Sequence, residues 1–392
     1  MKIGIVSPFE LQILEKYLYK TDSEELSKIV GLGGTQPTQL AIQFLNMGYK
    51  VSLFTLSKSI PAGEYKVFSG ENIKIYIGHF RRGKQVTLDF QSKEIKQIKE
   101  MILVDNPNIL SAQWTYEFAL ASLLSKIHAT ITVRDWSPEI FKLTKKPYRL
   151  MRMLMSFLVY LKGSNFIANS PYIDKKINFL RSRKIGIIPN GINDELFLQK
   201  DKKFSNQNEF KIISVNNGFD ERKNLKSLII AFNKLLNKYE NIKLYLIGNS
   251  FGQDQEAYIW CKDYGLLDNI EFVGKVNYNQ VIEYLDMSDS MVHPALEESF
   301  GNTLVEAMAR KVPIIAGINS GAVPWVVGDN GMLIDVGNER LIQDAIEVLI
   351  KNPERLKEYS ENGFQNAYNR FRLSNIAQQY IKKFNEILGE KY

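Results

Sequence analysis

The chain has 392 residues, of which 45% are apolar and 24% charged, and its formal net charge is +7. This length predicts two domains, each large enough for its own core, and the composition excludes a largely disordered chain. The single cysteine, Cys261, excludes an internal disulfide and any site built from several thiolates, which fits a reducing cytoplasm.

Charge is divided unevenly along the chain. Residues 1–190 contain 27 Lys or Arg and 15 Asp or Glu, and the remaining residues are net acidic. Such a split indicates that the first half faces an anionic partner, such as a membrane surface, an acidic acceptor or nucleic acid. An unselected solvated surface gives the same pattern, and the sequence leaves both explanations open. The longest apolar run, Met153–Leu161, is shorter than the roughly 20 residues that span a bilayer.

Short β-rich runs alternate with helical patterns in the first half. The chain opens with a predicted strand at Lys2–Ser7, which is too short for the apolar core of a secretory signal. Thr38–Met47 has the apolar spacing of a helix and stops at Gly48. Further strands are predicted at Lys50–Thr55, Asn108–Ser111, Thr130–Val133, Phe166–Ala168 and Ile185–Ile188. Strands separated by helices predict a parallel sheet covered on both faces.

A turn-rich break at Pro189–Asn193 marks the predicted domain boundary, after which the alternation restarts with a helix at Leu225–Asn237. The strands predicted for this half are Lys211–Val215, Lys243–Ile247, Glu271–Val273, Ser290–His293, Val312–Ala316 and Met332–Ile334. The sequence therefore predicts an α/β fold of two tandem, Rossmann-like, doubly wound parallel-sheet domains, 1–190 and 191–374, facing across a cleft. A C-terminal helix within 375–392 is expected to pack back on the first domain.

The segment His293–Met308 runs from the end of a strand into a helix and carries the most informative side chains. Gly301 allows close approach of a ligand to the backbone. The N–H groups at the start of this helix, which favour a diphosphate, belong to Asn302, Thr303 and Leu304. Glu298 precedes the helix and Glu306 lies inside it. Two plainer interpretations stay open: a capping box formed by Thr303 and Glu306, and a solvated loop charge at Glu298.

The spacing Glu298-x7-Glu306, with Ser-Phe-Gly after the first Glu and Glu-Ala-Met-Ala around the second, resembles the donor-site motif of the family-4 retaining glycosyltransferases of the GT-B type. The resemblance continues through residues 311–316, 320–324 and 331–334 and includes Ile188–Asn193. It implies a GT-B fold and transfer of a sugar from a nucleotide-sugar donor with retention of anomeric configuration.

The resemblance also implies roles for residues of the second half. Glu306 would hold the ribose of the nucleotide, and Glu298 would contact hydroxyls of the donor sugar. The backbone from Gly301 to Leu304 would hold phosphate and sugar, and Val276 would line the base pocket. Arg222 and Lys223 would neutralise the leaving diphosphate, a task that suits a pair of cations. The structural alternative for these two cations is the exposed start of a helix.

In the first half the resemblance rests on fewer residues. It implies that Gly33-Gly34 is the family's glycine loop, with Gly34 close to the donor phosphate or the acceptor. A plain turn is the structural alternative. Gln113 stands where the family usually has a histidine. An amide donates a hydrogen bond but does not titrate, so Gln113 would position sugar rather than act as acid or base. Asp135 either lines the acceptor side or caps the following turn.

Another departure from the family pattern is Asn216-Asn217, which replaces the usual Gly-Arg and removes one cation from the diphosphate site. No Asp-x-Asp triplet occurs, and three scattered histidines with one cysteine make no transition-metal site. We therefore expect no metal and no cofactor, since the nucleotide sugar is a substrate. His293 is predicted to be structural.

The segment Lys142–Lys162 is relevant to where the acceptor is found. Pro147 is expected to open a helix with Arg149 and Arg152 on one face and Leu150, Leu154 and Leu158 on another. Two interpretations stay open: a core helix with a basic edge, and an amphipathic helix on an anionic membrane surface.

The sequence thus predicts a metal-independent, retaining glycosyltransferase that acts on a glycan, lipid-linked or other acceptor in cell-surface polysaccharide or glycolipid synthesis. Nucleic acid is not expected as a partner. It would be cytoplasmic or peripheral at the inner face of the cell membrane. A sugar-nucleotide epimerase of the same fold is the alternative enzyme. A module that only binds a nucleotide sugar or nucleic acid is the non-catalytic alternative. Nucleotide, sugar, acceptor and linkage are not encoded in any recognisable motif.

Overall fold

A computed structural model describes residues 1–81, 83–180, 184–197, 202–205 and 209–389. The chain forms two compact units, Met1–Gly191 with Leu373–Tyr392, and Ile192–Arg372. The second unit thus begins one residue after the predicted start of the second domain, and the C-terminal helix belongs to the first unit. Residues 390–392 of the predicted tail lie outside the described residues.

The first unit is built on one eight-stranded sheet. Its strands are β1 (Lys2–Val6), β2 (Lys50–Ser57), β3 (Tyr65–Ser69), β4 (Ile73–His79), β5 (Ile109–Gln113), β6 (Ala129–Val133), β7 (Asn165–Ala168) and β8 (Lys184–Ile187). They lie in the order β3-β4-β2-β1-β5-β6-β7-β8, and every neighbouring pair is parallel except β3 and β4. The hairpin at 65–79, which adds this antiparallel edge, is not predicted from the sequence.

Helices cover both faces of this sheet. They are α1 (Lys20–Leu26), α2 (Thr35–Asn46), α3 (Lys84–Leu88), α4 (Ser92–Asp105), α5 (Glu117–Leu124), α6 (Ser137–Thr144), α7 (Pro147–Lys162) and α8 (Pro171–Lys176). Helix α2 begins three residues before the predicted Thr38 because Gly34, in the left-handed region, caps it with φ of 118°. Its Leu40, Ala41 and Phe44 are buried in the core against the sheet.

The second unit has one six-stranded, fully parallel sheet in the order β11-β10-β9-β12-β13-β14. Its strands are β9 (Phe210–Val215), β10 (Ile242–Ile247), β11 (Ile270–Gly274), β12 (Ser290–His293), β13 (Ile314–Gly317) and β14 (Met332–Ile334). Its helices are α9 (Leu225–Leu236), α10 (Glu256–Asp263), α11 (Tyr278–Met287), α12 (Asn302–Ala309), α13 (Val323–Val327), α14 (Glu339–Lys351) and α15 (Pro353–Phe371).

The last helix, α16 (Leu373–Leu388), returns to the first unit. Its Tyr380 and Phe384 rings pack against Phe44 of α2, with ring centroids 6.5 and 5.9 Å away. The prediction that the C-terminal helix packs on the first unit agrees with this contact. Within the described part of the chain, no helix has both the length and the apolar character needed to cross a bilayer.

Both sheets are doubly wound, and every strand predicted from the sequence forms, with ends within two residues of the prediction. The strand order reverses between β1 and β5 in the first sheet and between β9 and β12 in the second. Ligands of open α/β sheets bind at such reversal points, beyond the carboxyl ends of the strands. The loops after these four strands are therefore the places to look for a site.

Candidate active site

In the second unit, the predicted donor residues follow the two strands that flank the reversal point. Arg222 and Lys223 lie in the loop between β9 and α9, and Glu298 and Gly301 lie between β12 and α12. Because β9 and β12 are paired neighbours, these two loops leave the sheet side by side. The backbone N–H of Leu296 donates to the carbonyl of Arg222 over 2.8 Å, which ties one loop to the other.

Gly301 forms the turn into α12. It is the N-cap residue, with φ of 89° and ψ of 67° in the left-handed region, and a Cβ there would lie 2.8 Å from Leu304 Cδ1. Glycine has no side chain with which to cap the helix, and the N–H of Leu304, one of the predicted phosphate donors, instead donates to the Gly301 carbonyl over 3.1 Å. Asn302, Thr303 and Leu304 form the first turn, as predicted.

The capping-box interpretation of Thr303 and Glu306 is wrong. The helix begins at Asn302 with Gly301 as its cap, so Thr303 lies inside the helix. The Glu306 carboxylate instead accepts a hydrogen bond from the Tyr278 hydroxyl over 3.3 Å. Glu306 is only 8% exposed, and burial raises its pKa to about 7 although the Tyr278 hydrogen bond opposes the rise.

Glu298 sits between two basic side chains. Lys223 Nζ donates to Glu298 Oε1, and His293 Nε2 lies 3.5 Å from the same oxygen. The side chains of Glu298 and Lys223 are 14% and 11% exposed. Burial alone would raise the pKa of Glu298, but the His293 ring and the Lys223 ammonium hold it well below its usual range. Glu298 is thus a largely buried, ionised carboxylate and not a solvated loop charge.

The two predicted cations are each paired with a neighbouring acidic residue. Arg222 Nη1 lies 3.6 Å from Glu297 Oε2 and donates to the Glu297 carbonyl over 3.3 Å. Lys223 is buried against Glu298, so the interpretation of Lys223 as an exposed helix start is wrong, whereas Arg222 remains half-buried. The pairs hold both cations at the carboxyl edge of the sheet.

A third loop, which contains Gly321 and Ala322, contacts the backbone of Glu298. The backbone N–H of Ala322 donates to the carbonyl of Glu298 over 2.9 Å, and Gly321 has φ of 64°. A Cβ on Gly321 would lie 2.4 Å from that carbonyl oxygen, so only glycine permits this approach. The position of Glu298 is therefore fixed by backbone packing as well as by charge.

Asn217, which replaces the family's arginine, has a structural contact. Its Oδ1 accepts from the backbone N–H of Asn249 over 3.1 Å and links the loops after β9 and β10. Val276 follows β11, packs against the apolar core that contains Leu304, and remains half-buried. The cation lost at Asn217 is not restored by that side chain, so Arg222 and Lys223 are the basic residues of these loops that face the site.

In the first unit, Gly34 belongs to the loop at the reversal point. It caps α2, and a Cβ there would lie 2.2 Å from the carbonyl oxygen of Pro8, just after β1. Thr35 Oγ1 donates to Glu10 Oε1 over 2.6 Å, so the loops after β1 and before α2 are joined. Gly34 is required by close backbone packing, which a plain turn does not demand.

Gln113 ends β5 beside this loop and is fully buried. Its Oε1 accepts from Arg134 Nε over 2.9 Å, and its Nε2 donates to Ser111 Oγ over 3.0 Å. Arg134 also donates through Nη1 to Asn190 Oδ1. These contacts fix the orientation of the amide, because the guanidinium can only donate and must therefore face the amide oxygen, while the NH₂ group donates to Ser111.

Asp135 does not cap the following helix. The N-cap residue of α6 is Trp136, and Asp135 Oδ1 accepts from the Tyr116 hydroxyl over 2.9 Å. Burial raises the pKa of Asp135, opposed by the nearby Arg152. Sequence reasoning missed Tyr116 and Tyr278 as partners of the two carboxylates, because each contact joins residues far apart in the chain and no local pattern signals it.

Two doubly wound units, with an acidic pair around a glycine turn at the reversal point of the second, define a glycosyltransferase of the GT-B type. The model for Glycosyltransferase Family 4 matches residues 34–196, and the model for Glycosyl transferases group 1 matches residues 197–366. The two matches are contiguous, and the chain belongs to this family of glycosyltransferases.

Named relatives extend over almost the whole chain. N-acetyl-alpha-D-glucosaminyl L-malate synthase of Bacillus anthracis is 25% identical, over 92% of this chain and 95% of its own length. The capsular polysaccharide biosynthesis glycosyltransferase CapM of Staphylococcus aureus is 26% identical, over 86% of this chain and 97% of its own. The chain is therefore a glycosyltransferase enzyme, and these relatives give no support to the epimerase or to a module that only binds.

Solved structures agree on the fold. Sucrose-phosphate synthase of Thermosynechococcus elongatus superposes with a TM-score of 0.77 at 16% identity, over 99% of both chains. Anabaena HepE, in complex with UDP and glucose, superposes with a TM-score of 0.67 at 18% identity, over 98% of this chain and 99% of its own.

Proposed function

We propose that the chain transfers a sugar from a nucleoside-diphosphate sugar to an acceptor, with retention of anomeric configuration and without a metal ion. The observation that carries this proposal is Glu298, a largely buried carboxylate held by Lys223 and His293 beside the Gly301 turn. A solved structural neighbour contains UDP-glucose, which supports a nucleotide sugar as the donor class.

Each donor group has a matching residue in the second unit. The diphosphate binds the N–H groups at the start of α12, where backbone donors and a helix dipole meet the Gly301 turn. Glu306 accepts hydrogen bonds from the ribose hydroxyls, and its burial means that little water competes for them. Glu298 accepts from hydroxyls of the sugar, and Val276 contacts the base.

In the proposed reaction, the bond between the anomeric carbon and the diphosphate oxygen breaks, and negative charge grows on the diphosphate. Arg222, Lys223 and the start of α12 stabilise that charge. The acceptor oxygen attacks the anomeric carbon from the same face, and its proton passes to the departing diphosphate. No protein carboxylate has to act as a nucleophile.

The acceptor is proposed to be a glycan or a lipid-linked sugar in the synthesis of polysaccharide or glycolipid. Support comes from the capsular polysaccharide relative and from the excess of basic residues in 1–190. That basic half fits a site of action on the cytoplasmic face of an anionic membrane.

The proposal is tested in two steps. A thermal-shift screen with UDP, GDP, ADP and their common sugars identifies the donor, since a bound ligand raises the melting temperature. Transfer of radiolabelled sugar from that donor to a cell-envelope extract is then compared between wild type and Glu298→Ala, with and without EDTA. We expect transfer that resists EDTA and is lost in the variant while its melting profile is kept. A variant with wild-type transfer would refute the role of Glu298.

A further inference from the structure

Helix α7 is apolar on two different faces. Met151, Met155, Val159 and Tyr160 are buried in the core of the first unit. On another face, five large apolar side chains are 38–72% exposed: Leu150, Leu154, Phe157, Leu158 and Leu161. They recur at positions i, i+4, i+7, i+8 and i+11, the spacing of one continuous stripe. A surface helix that only covers a core requires one apolar face, so the second apolar face of α7 is not explained by packing on the core.

The exposed stripe corrects the sequence interpretation of this helix. The leucines predicted to face either core or membrane are exposed, so the core-helix interpretation is wrong for them. Arg152 does not share an open basic face with Arg149. Its guanidinium lies 3.6 Å from the centre of the Tyr116 ring and donates to the Tyr148 hydroxyl over 2.7 Å. What remains on the surface is an apolar stripe with charge at its ends.

The charged residues in the chain segment that contains the stripe are of one sign. From Lys142 to Ile173 the sequence has six Lys or Arg residues and no Asp or Glu. Lys145 and Lys146 are exposed just before the helix, and Lys162 is exposed at its last residue. Long lysine side chains at both ends of an apolar helix reach sideways to phosphate groups while the leucines lie deeper.

We propose that the exposed face of α7 docks on a bilayer that contains anionic lipid, with the helix parallel to the membrane plane and its leucine stripe inserted among the acyl chains. This inference rests on the proposed function, because it supplies the contact by which the enzyme reaches a lipid-linked acceptor. At 1.5 Å per residue the 16-residue helix is about 24 Å long, which suits an interfacial position. The short helix α3 contacts α7 and exposes Leu88 as well.

A second copy of the chain fits this face less well. Exposed lysines stand at both ends of α7, so a symmetric pairing of two such helices, parallel or antiparallel, sets lysines against lysines. An anionic membrane surface complements both ends at once, and its interior takes the apolar stripe between them. The charge pattern therefore selects lipid as the occupant.

The test uses the full chain and co-sedimentation with vesicles of phosphatidylcholine, with or without phosphatidylglycerol. Wild type is compared with Leu154→Glu/Leu158→Glu and with a matched control, Ile259→Glu, an exposed isoleucine on α10 of the second unit. We expect wild type and control to bind the phosphatidylglycerol vesicles and the double variant to bind at least about tenfold more weakly. Equal binding by the double variant, or no binding by wild type, overturns the proposal.

Two further measurements on the same proteins separate the possible failures. Light scattering after size exclusion reports self-association, and a dimer that the double variant abolishes would assign the face to a second copy and overturn the lipid proposal. Nucleotide thermal shift reports the donor site. Loss of vesicle binding with an unchanged nucleotide shift supports the membrane face, whereas a wild type that binds vesicles but no nucleotide contradicts the proposed function alone.

Discussion

The fold is more stable when the buried Glu306 carboxyl is protonated, whereas the proposed donor site uses its charged form. Its pKa of about 7 lies above the ordinary 4.5 because burial penalises the charged form. A raised pKa in the folded state means that the protonated acid stabilises the fold below about pH 4.5. This contribution is lost as the pH rises to about 7. Glu306→Gln keeps the shape of the side chain but cannot ionise.

The size of the effect follows from the two pKa values. The difference between about 7 and 4.5 corresponds to about 3 kcal/mol of unfolding free energy. Above pH 7 we therefore expect Glu306→Gln to be more stable than wild type by up to about 3 kcal/mol, while at pH 4 the two should be nearly equal. The Tyr278 hydroxyl can still donate to the neutral amide oxygen, and the weakening of this hydrogen bond takes at most about 1 kcal/mol from the gain.

Urea unfolding of wild type and variant between pH 4 and pH 8 measures the difference directly. Glu347→Gln is the matched control, because hydrogen bonds from Lys351, Lys238 and Tyr239 lower the pKa of that carboxyl and its replacement should give no gain at high pH. A Glu306→Gln protein that is no more stable than wild type at pH 8, or whose gain does not vary with pH, would refute the reasoning from burial.

Three further substitutions test the loops around the site. Gly301→Ala places alanine at a φ of 89°, which should lower the free energy of unfolding by about 1–3 kcal/mol and weaken nucleotide binding. Thermal unfolding and calorimetry measure these two effects, and unchanged values would contradict the role of the turn. Gly34→Ala brings a Cβ within 2.2 Å of the Pro8 carbonyl and should lower the melting temperature, whereas a wild-type value would mean that this contact relaxes freely. Lys223→Met leaves Glu298 without its cation, so its deficit in unfolding free energy should be larger at pH 8 than at pH 5; a deficit independent of pH contradicts the ion pair.

The sequence predicted the two sheets well because parallel strands buried on both faces form apolar runs, such as Ile3–Val6, that stand out from their surroundings. The hairpin of β3 and β4 was missed, since the edge strand β3 leaves Tyr65 and Val67 exposed and its pattern is weak. Helix α7 was predicted as a helix with Leu150, Leu154 and Leu158 on one face, but the sequence did not decide between core and membrane for that face. Periodicity finds an apolar face but not which of two faces the core takes.

The donor-site residues were predicted from motif spacing, and the structure brings those of the second unit to one edge of the sheet. What the sequence did not reveal is how they are held. The contact between His293 and Glu298 was missed because a lone histidine at a strand end has no local signature. The contact between Tyr278 and Glu306 joins two helices, and only the folded chain defines it. Long-range polar contacts of this kind hold the Glu298 and Glu306 side chains in place.

The central claim is that the loops after β9 and β12 bind a nucleoside diphosphate. Titration calorimetry of UDP, GDP and ADP against wild type, Glu306→Gln and Glu347→Gln tests it most directly. We predict that wild type and Glu347→Gln bind one of these nucleotides with equal affinity, and that Glu306→Gln binds it about tenfold more weakly or worse, because hydrogen bonds to a charged carboxylate are lost. Equal affinity in all three proteins, or binding of none of the three nucleotides by wild type, would contradict the claim.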